Sequence, residues 1–395
     1  MMSLKSKKSL SILLIANQRS VVSALMDEHI QALLRHSRHW IYLIDPQALQ
    51  EAGGFDFSDY DVIAFDQTVS VQQDDLIPPQ IREEIGQFPG LKVLFAHDTF
   101  QNIDALCAAI RQMKVGIVFT RVPESQFERV LGQRLPEVRL VNWIGGCISE
   151  RLVQTNFPLL RDRPLDVGFG ASPTPPRLGN LAYSRFRSGQ KLQEHLSGSG
   201  LKYEAYPLAH EGQNARAKTD FFRSCKAVFL TGIAASIVDF DGRVEQAVHQ
   251  YVSDHPSATF EEISQEVLQP HEGNAHIDVL SLDQLKAIAF RTALILVPGE
   301  YSGILKPWTH YIPLEHDLSN ITDVLDAIRD TAALGGMARR AYHDVVRSGI
   351  FSCRHTVKAF DELLDTHSTG TFHRRLPKPL LWVTRVRSYF MRARF

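Results

Sequence analysis

His97 and Asp98 stand directly after the apolar run Val93 to Ala96 and ahead of a helix-like stretch. An imidazole and a carboxylate at the end of a buried strand can take a proton from a hydroxyl held against them. The same position also suits Asp98 as a helix N-cap, with His97 a satisfied strand-end residue. A second dense segment is GEYSGILKPWTHYIPLEHDLSN, residues 299 to 320. Gly299 and Gly303 flank Glu300, Tyr301 and Ser302 and permit a tight loop after a buried strand. Backbone amides in such a loop, beside a helix start, suit phosphate oxygens. Lys306 adds a mobile positive charge, His310 and Tyr311 add polar contacts and stacking, and Asp317 or Ser319 can cap the helix that follows. The plainer alternative is a long connection packed by its own aromatics.

Other motifs carry less. Gly168 and Gly170 form a GxG, but the full GxGxxG is absent and Pro173, Pro175 and Pro176 delay the helix, which argues against a dinucleotide fingerprint. Asp239 and Asp241 form a DxD of the kind that can hold a divalent metal, yet they run into Gly242 and a helix start, where turn and cap chemistry suffices. The other DxD, Asp59 to Asp61, leads straight into a strand. Cys107, Cys147, Cys225 and Cys353 lie far apart without a CxxC, and no His stands at ligand spacing. Neither a disulfide framework nor a zinc site is expected, and a reducing, cytoplasmic compartment follows.

The elements that must position these groups alternate along the chain. Strands are expected at Ser11 to Ala16, Trp40 to Ile44, Val62 to Phe65, Val93 to Ala96 and Val115 to Phe119. Helical spacing marks Val22 to Leu34, Gln80 to Phe88 and Ile103 to Met113. Such alternation implies parallel strands joined by right-handed crossovers, a doubly wound sheet. FPLLRDRPLD, residues 157 to 166, breaks the rhythm and divides residues 1–156 from a second unit, 157–368. There the pattern restarts, with strands at Leu165 to Phe169, Lys202 to Tyr206, Ala227 to Thr231 and Ala293 to Val297, and helices at Leu181 to Leu196 and Ala217 to Ser224. From Ile321 to Leu364 the chain reads as helical, with a break at Gly335 and Gly336. The fold class is α/β, two Rossmann-like domains in tandem with C-terminal helices.

At 395 residues, two domains of roughly 150 to 200 residues are the natural division. A net charge of −1 excludes a nucleic-acid-like field over the whole molecule. Charge is nevertheless uneven. After Asp365 the chain carries Arg374, Arg375, Lys378, Arg385, Arg387, Arg392 and Arg394 and no acid, leaving 36 bases against 44 acids before it, a net of −8. Lys5, Lys7 and Lys8 precede an apolar run that is too short for a signal peptide and fits a first strand. Nothing approaches the ~20 apolar residues that span a bilayer.

In order along the chain, KVLFAHDTF and VFTRVP, DVGFGASPTPPRLGNL, SCKAVFLTGIAASIVDFDG, LKAIAFRTALIL, EYSGILKPWTHYIPLEHDLSN and AYHDVVRSG resemble GT-B glycosyltransferases of the spore-maturation and capsule-polysaccharide type, over residues 91 to 364. That resemblance implies a nucleotide-sugar donor on the second domain, a glycan or lipid-linked acceptor on the first, and catalysis in the cleft with no obligatory metal or cofactor. Asp98 would be the base, with His97 beside it. Tyr301, Ser302, Gly303, Lys306 and His310 would lie near the donor's phosphates or sugar. Departures from the family pattern fall on the same cleft. Gly170 and Ser172 stand where arginines flank Ala171, Gly232 replaces a Glu, and Thr99 replaces an acid beside Asp98. Asp283 and Lys286 reverse an Arg-x-x-Glu whose Glu faces the donor ribose, and Lys cannot accept hydrogen bonds from it. At i, i+3 the two could still pair with each other. A catalytically degenerate scaffold or partner of a true transferase is the alternative.

The tail, residues 369–395, reads as a helix from Leu380, with Trp382, Val386, Tyr389 and Phe390 interleaved with arginines. It suits an anionic membrane surface, the acidic body or a partner subunit, and no recognition fold for nucleic acid stands behind it. The expected place is the cytoplasm, peripheral at the inner face of the membrane.

Overall fold

The structure is a computed structural model that describes residues 9–17, 23–97, 99–154, 157–170, 173–206 and 215–367. The basic tail lies outside them. Strands β1 (Ser11–Ile15), β2 (Trp40–Ile44), β3 (Val62–Phe65), β4 (Leu91–Phe95), β5 (Ile117–Thr120) and β6 (Arg139–Asn142) form one sheet in the order β2-β1-β3-β4-β5-β6. All of its pairings are parallel. SILLI of β1 and VIAF of β3 are buried at every position, as a sheet covered on both faces requires.

The second unit holds β7 (Leu165–Phe169), β8 (Tyr203–Ala205), β9 (Cys225–Phe229), β10 (Ile233–Ala235), β11 (Ile277–Val279), β12 (Ala293–Leu296) and β13 (Tyr311–Pro313). Five of these make a parallel sheet ordered β13-β12-β9-β7-β8. Each sheet therefore changes winding direction once, between β1 and β3 and between β7 and β9. Two tandem Rossmann-like domains are the observed architecture.

Sequence spacing placed most elements within two residues. The expected strand from Val115 begins at Ile117, because Lys114 turns left-handed (φ 54°) and Val115 N–H still closes helix Ile103–Met113 on Ile110 O. Gly335 and Gly336 do not break the closing helices. They lie inside Thr331–Ala341, and the break falls at Asp330, whose carboxylate accepts from Ala332 and Ala333 N–H.

Two segments of the second half pack on the first. The antiparallel pair β10–β11 brackets helix Arg243–Asp254, and its Ala235, Ile277 and Val279 join Val238, Ile103, Leu106 and Val122 in one core. Main-chain bonds reinforce that seam, from Ile103 N–H to Asp239 O and from Asp104 N–H to Phe240 O. Helix Cys353–His367 returns to the other face of the first sheet, where Phe360 meets Phe95 and Phe119. Its Asp361 accepts from Ser37 Oγ (2.7 Å) and Arg38 N–H (2.9 Å).

The start of that helix overturns the expectation of no disulfide. Cys147 and Cys353 are bonded across 206 residues, a pairing that no sequence spacing could signal. Cys107 and Cys225 are free and buried, and desolvation pushes their thiols up to about 11 and about 12. Peptide mapping without reductant should recover a Cys147–Cys353 linked pair. Native protein should leave Cys107 and Cys225 unalkylated at pH 8. Cys353→Ser should cost about 2–4 kcal/mol in urea unfolding, through the loop freed in the unfolded chain. Recovery of Cys147 as a free thiol from protein never exposed to reductant would refute the pairing.

Candidate active site

Ligands of doubly wound sheets sit outside the carboxyl ends of the strands, at the change of winding. In the first domain Asp66 follows β3 there. It is fully buried, its Oδ2 lies 2.9 Å from His29 Nδ1, and its Oδ1 accepts from Thr68 N–H at 3.0 Å. Thr68 Oγ1 accepts in turn from Asn17 N–H (2.9 Å), closing the β1–β3 edge. The His29 ring is held by Phe95 and Trp143, with centroids 4.6 and 4.9 Å away.

One strand over, His97 stands two residues past the end of β4, reaching solvent at this edge while protein packs closely around its ring. Desolvation by the surrounding protein lowers its pKa to about 4, the nearby Arg121 pushes the same way, and Asp66 opposes them. The imidazole is thus neutral at physiological pH. Asp98 lies outside the described residues. Thr99, where the resemblance calls for an acid, is fully buried and accepts from Thr120 Oγ1 at 3.2 Å. A carboxylate in that dry position would lack a compensating charge.

Across the molecule, Gly170 ends β7 at the second winding change and donates its N–H to Phe229 O of β9. Ser172 lies outside the described residues. The glycine-flanked loop after β12 is organised by Asp278 of β11, which sequence reasoning did not single out. Its Oδ2 accepts from Glu300 N–H (2.6 Å) and Arg185 Nη2 (2.6 Å), and its Oδ1 from Tyr301 N–H (3.3 Å). Arg185 and Asp278 are 1% and 3% exposed, so this is a buried ion pair. The Arg185 guanidinium also lies 4.8 Å from the Tyr301 ring centre. Two of the amides considered for a phosphate are therefore already on an internal carboxylate.

Tyr301 is wholly buried, donates its hydroxyl to Val297 O at 2.6 Å, and is held protonated by desolvation. Ser302 is exposed with φ 56°, and its Oγ accepts from Leu280 N–H. Gly303 is exposed beside it. His310 is buried, taking Lys306 N–H on Nδ1 (3.2 Å) and facing Asp344 with Nε2 (3.2 Å), while the Lys306 side chain is exposed. Gly232 has φ 74°, and a Cβ there would meet Gln284 and Tyr301 at 3.1 Å, so both backbone and neighbours favour glycine.

Asp283 and Lys286 do not pair with each other. Asp283 bonds Lys218 (2.7 Å), and Lys286 Nζ reaches Glu28 of helix Ser23–His36 at 2.8 Å. That last pair spans the two domains. Nearby, Gly146 abuts Leu282, where a Cβ would stand at 2.6 Å. The two carboxyl edges thus face each other. Asp239, of the DxD, spends its carboxylate on Gly242, Val244 and Glu245 N–H at the start of helix Arg243–Asp254.

Arg185 and Asp278 escaped notice because an Arg in a long helix and an Asp between Ile and Val carry no spacing signal. Glu28 is likewise one charge on an amphipathic helix.

No protein-family model matches the chain, and no curated protein matches it in sequence. Solved structures do resemble it. An alpha-glucosyltransferase in complex with UDP and a 13-mer DNA containing an HMU base is 9% identical, with a TM-score of 0.54 over 91% of this chain and 100% of that one. A DNA-modifying beta-glucosyltransferase, studied with and without uridine diphosphoglucose, is 10% identical, with a TM-score of 0.50 over 90% and 100%. HepE of Anabaena, in complex with UDP and glucose, gives 11% and 0.48 over 90% and 100%. The fold is GT-B.

His97 should titrate near pH 4 by NMR and stay neutral from pH 6 upward. Because its folded pKa lies below the unfolded 6.5, its share of stability is lost as pH falls from about 6.5 to 4, and His97→Gln should flatten that part of the acid-unfolding profile. An inflection near 6.5 would show the ring fully solvated. Asp278→Ala should cost about 3–5 kcal/mol in urea unfolding, because Arg185 is left buried without its partner. Asp278→Asn should cost less, since its oxygen still accepts from Glu300 N–H.

Proposed function

We propose that this chain is a glycosyltransferase that moves a sugar from a uridine nucleotide donor to a hydroxyl of a glycan or lipid-linked acceptor, in surface polysaccharide or glycoconjugate synthesis. The observation that carries it is the opposition of the two carboxyl edges across one cleft, with a neutral His97 on one side and the Asp278-anchored loop on the other. UDP is chosen because the GT-B neighbours with a TM-score of 0.5 or more named above were solved with UDP or studied with its glucose ester.

Asp98 takes the proton of the acceptor hydroxyl, assisted by His97. The acceptor oxygen bonds to the anomeric carbon, whose bond to the diphosphate oxygen breaks, and the nucleotide leaves with the electron pair. Gly170 and Ser172 let the diphosphate approach the backbone. Ser302, Gly303 and the exposed Lys306 meet its oxygens, while Tyr301 and His310 hold the loop from beneath. Lys286 reaches the donor by exchanging Glu28 for an anionic group. No metal or cofactor is assigned. The basic tail holds the enzyme at an anionic membrane surface on the cytoplasmic side.

One observation favours a second reading, a degenerate GT-B module that assists an active transferase: internal carboxylates already occupy Lys286 and the loop amides. A thermal-shift series with UDP, GDP, CMP, dTDP and their sugars separates the two. At a hundredfold excess over Kd the donor should raise the Tm by ~3 °C. Asp98→Asn should keep that shift and abolish transfer to the acceptor. Absence of any shift in a cooperatively melting protein would leave the second reading.

A further inference from the structure

A groove of about 470 Å³ lies between helix Asn180–Leu196 and the helical insertion carried by β10 and β11. Its volume is within the ~300–1,000 Å³ usual for small-molecule sites. Tyr183 and Phe260 line it as a stacked pair, ring centres 3.6 Å apart and planes 10° from parallel. Tyr183 also donates its hydroxyl to Glu261 Oε1 at 3.2 Å, which fixes the ring's tilt and engages that oxygen. Glu272, on the same wall, accepts from Asn180 N–H at 3.1 Å and so is held at the N-terminus of the helix.

Three carboxamides, Asn180, Gln265 and Gln269, are exposed at the lining. Ser264 supplies a hydroxyl beside them. Carboxamides and hydroxyls both donate and accept, and carboxylates accept, so the wall can meet hydroxyls in either sense. Among the described lining residues none is basic, which disfavours phosphate, sulfate or uronate. The stacked rings give the groove an apolar patch, and the carboxamides, hydroxyl and two acceptor carboxylates around it suit a ligand with apolar C–H groups and a rim of hydroxyls. We infer that this groove is an accessory binding site for a neutral oligosaccharide.

The groove begins at Asn180, the first residue of the α-helix that follows β7. The site itself rests on its own lining and not on sugar transfer, and binding is measurable without a donor.

The test is saturation-transfer NMR and titration calorimetry on the full chain, with no nucleotide present. The probes are neutral hexasaccharides of glucose, mannose, galactose and N-acetylglucosamine, together with a cationic glucosamine hexamer and a polygalacturonate hexamer. At least one neutral probe should bind. The doubly exposed variant Gln265→Ala/Gln269→Ala should weaken it about tenfold without changing the Tm, and Phe260→Ala should do so more strongly. Tyr183→Phe, which keeps the stack and loses the hydroxyl, should weaken it less than Phe260→Ala. Nucleotide thermal shifts of the same variants should match the parent, so failure of the groove and failure of the donor site are read separately. The inference is overturned if no neutral probe binds, if binding survives the glutamine double variant unchanged, or if a charged hexamer binds best with salt-dependent affinity.

Discussion

The carboxylate of Asp278 is the point on which the second domain's working edge depends. It sits on β11, which with its partner β10 is packed into the first domain's core, and it bonds the amides that start the loop after β12. One side chain thus ties the interdomain insertion to the candidate donor loop. Burying it requires the Arg185 guanidinium, and Arg185 lies under Tyr301. Gly299 follows from the same crowding, since a Cβ there would stand 2.1 Å from Arg185 Nη2 and 2.6 Å from Asp278 Oδ2. The glycine expected to permit a tight loop is first a close approach of backbone to an ion pair.

Much of the fold was legible because burial on both faces makes continuous apolar runs, as in SILLI or ALIL, and amphipathic helices repeat their apolar face. Short strands that depend on distant partners were not. IAA and IDV form an antiparallel pair only because a helical insertion brings together residues 42 to 46 apart in sequence, Ile233 opposite Val279 at one end and Ala235 opposite Ile277 at the other. The candidate site divides similarly. Its positions after strands could be found from winding rules, whereas the groups already occupying those positions, Asp278 and Glu28, act across long separations and leave no local signature.

Magnitudes decide which of the ties between domains sets their geometry. The Glu28–Lys286 pair has one partner 39% exposed and the other 11%, so it is worth at most about 1 kcal/mol after solvent screening. On the opposite side, Val238, Ile277 and Val279 are each under 5% exposed in a core shared with the first domain. Burial of such side chains contributes roughly 1.5–3 kcal/mol apiece. The apolar seam and the returning helix Cys353–His367 therefore hold the domains, and the ion pair is a minor tenant of the cleft.

That ordering separates the two internal carboxylates that stand where a donor would bind. Asp278 carries a buried guanidinium and two amides, and removing it leaves a charge in a dry site. Glu28, itself 39% exposed, pairs with the nearly buried Lys286. On the proposed reading an anionic group of the donor takes its place on Lys286, with Glu28 returning to water. On the proposed reading, contact with the donor therefore falls to Lys286 and the exposed Ser302, Gly303 and Lys306, while the buried Asp278, Arg185 and Tyr301 hold the loop in place.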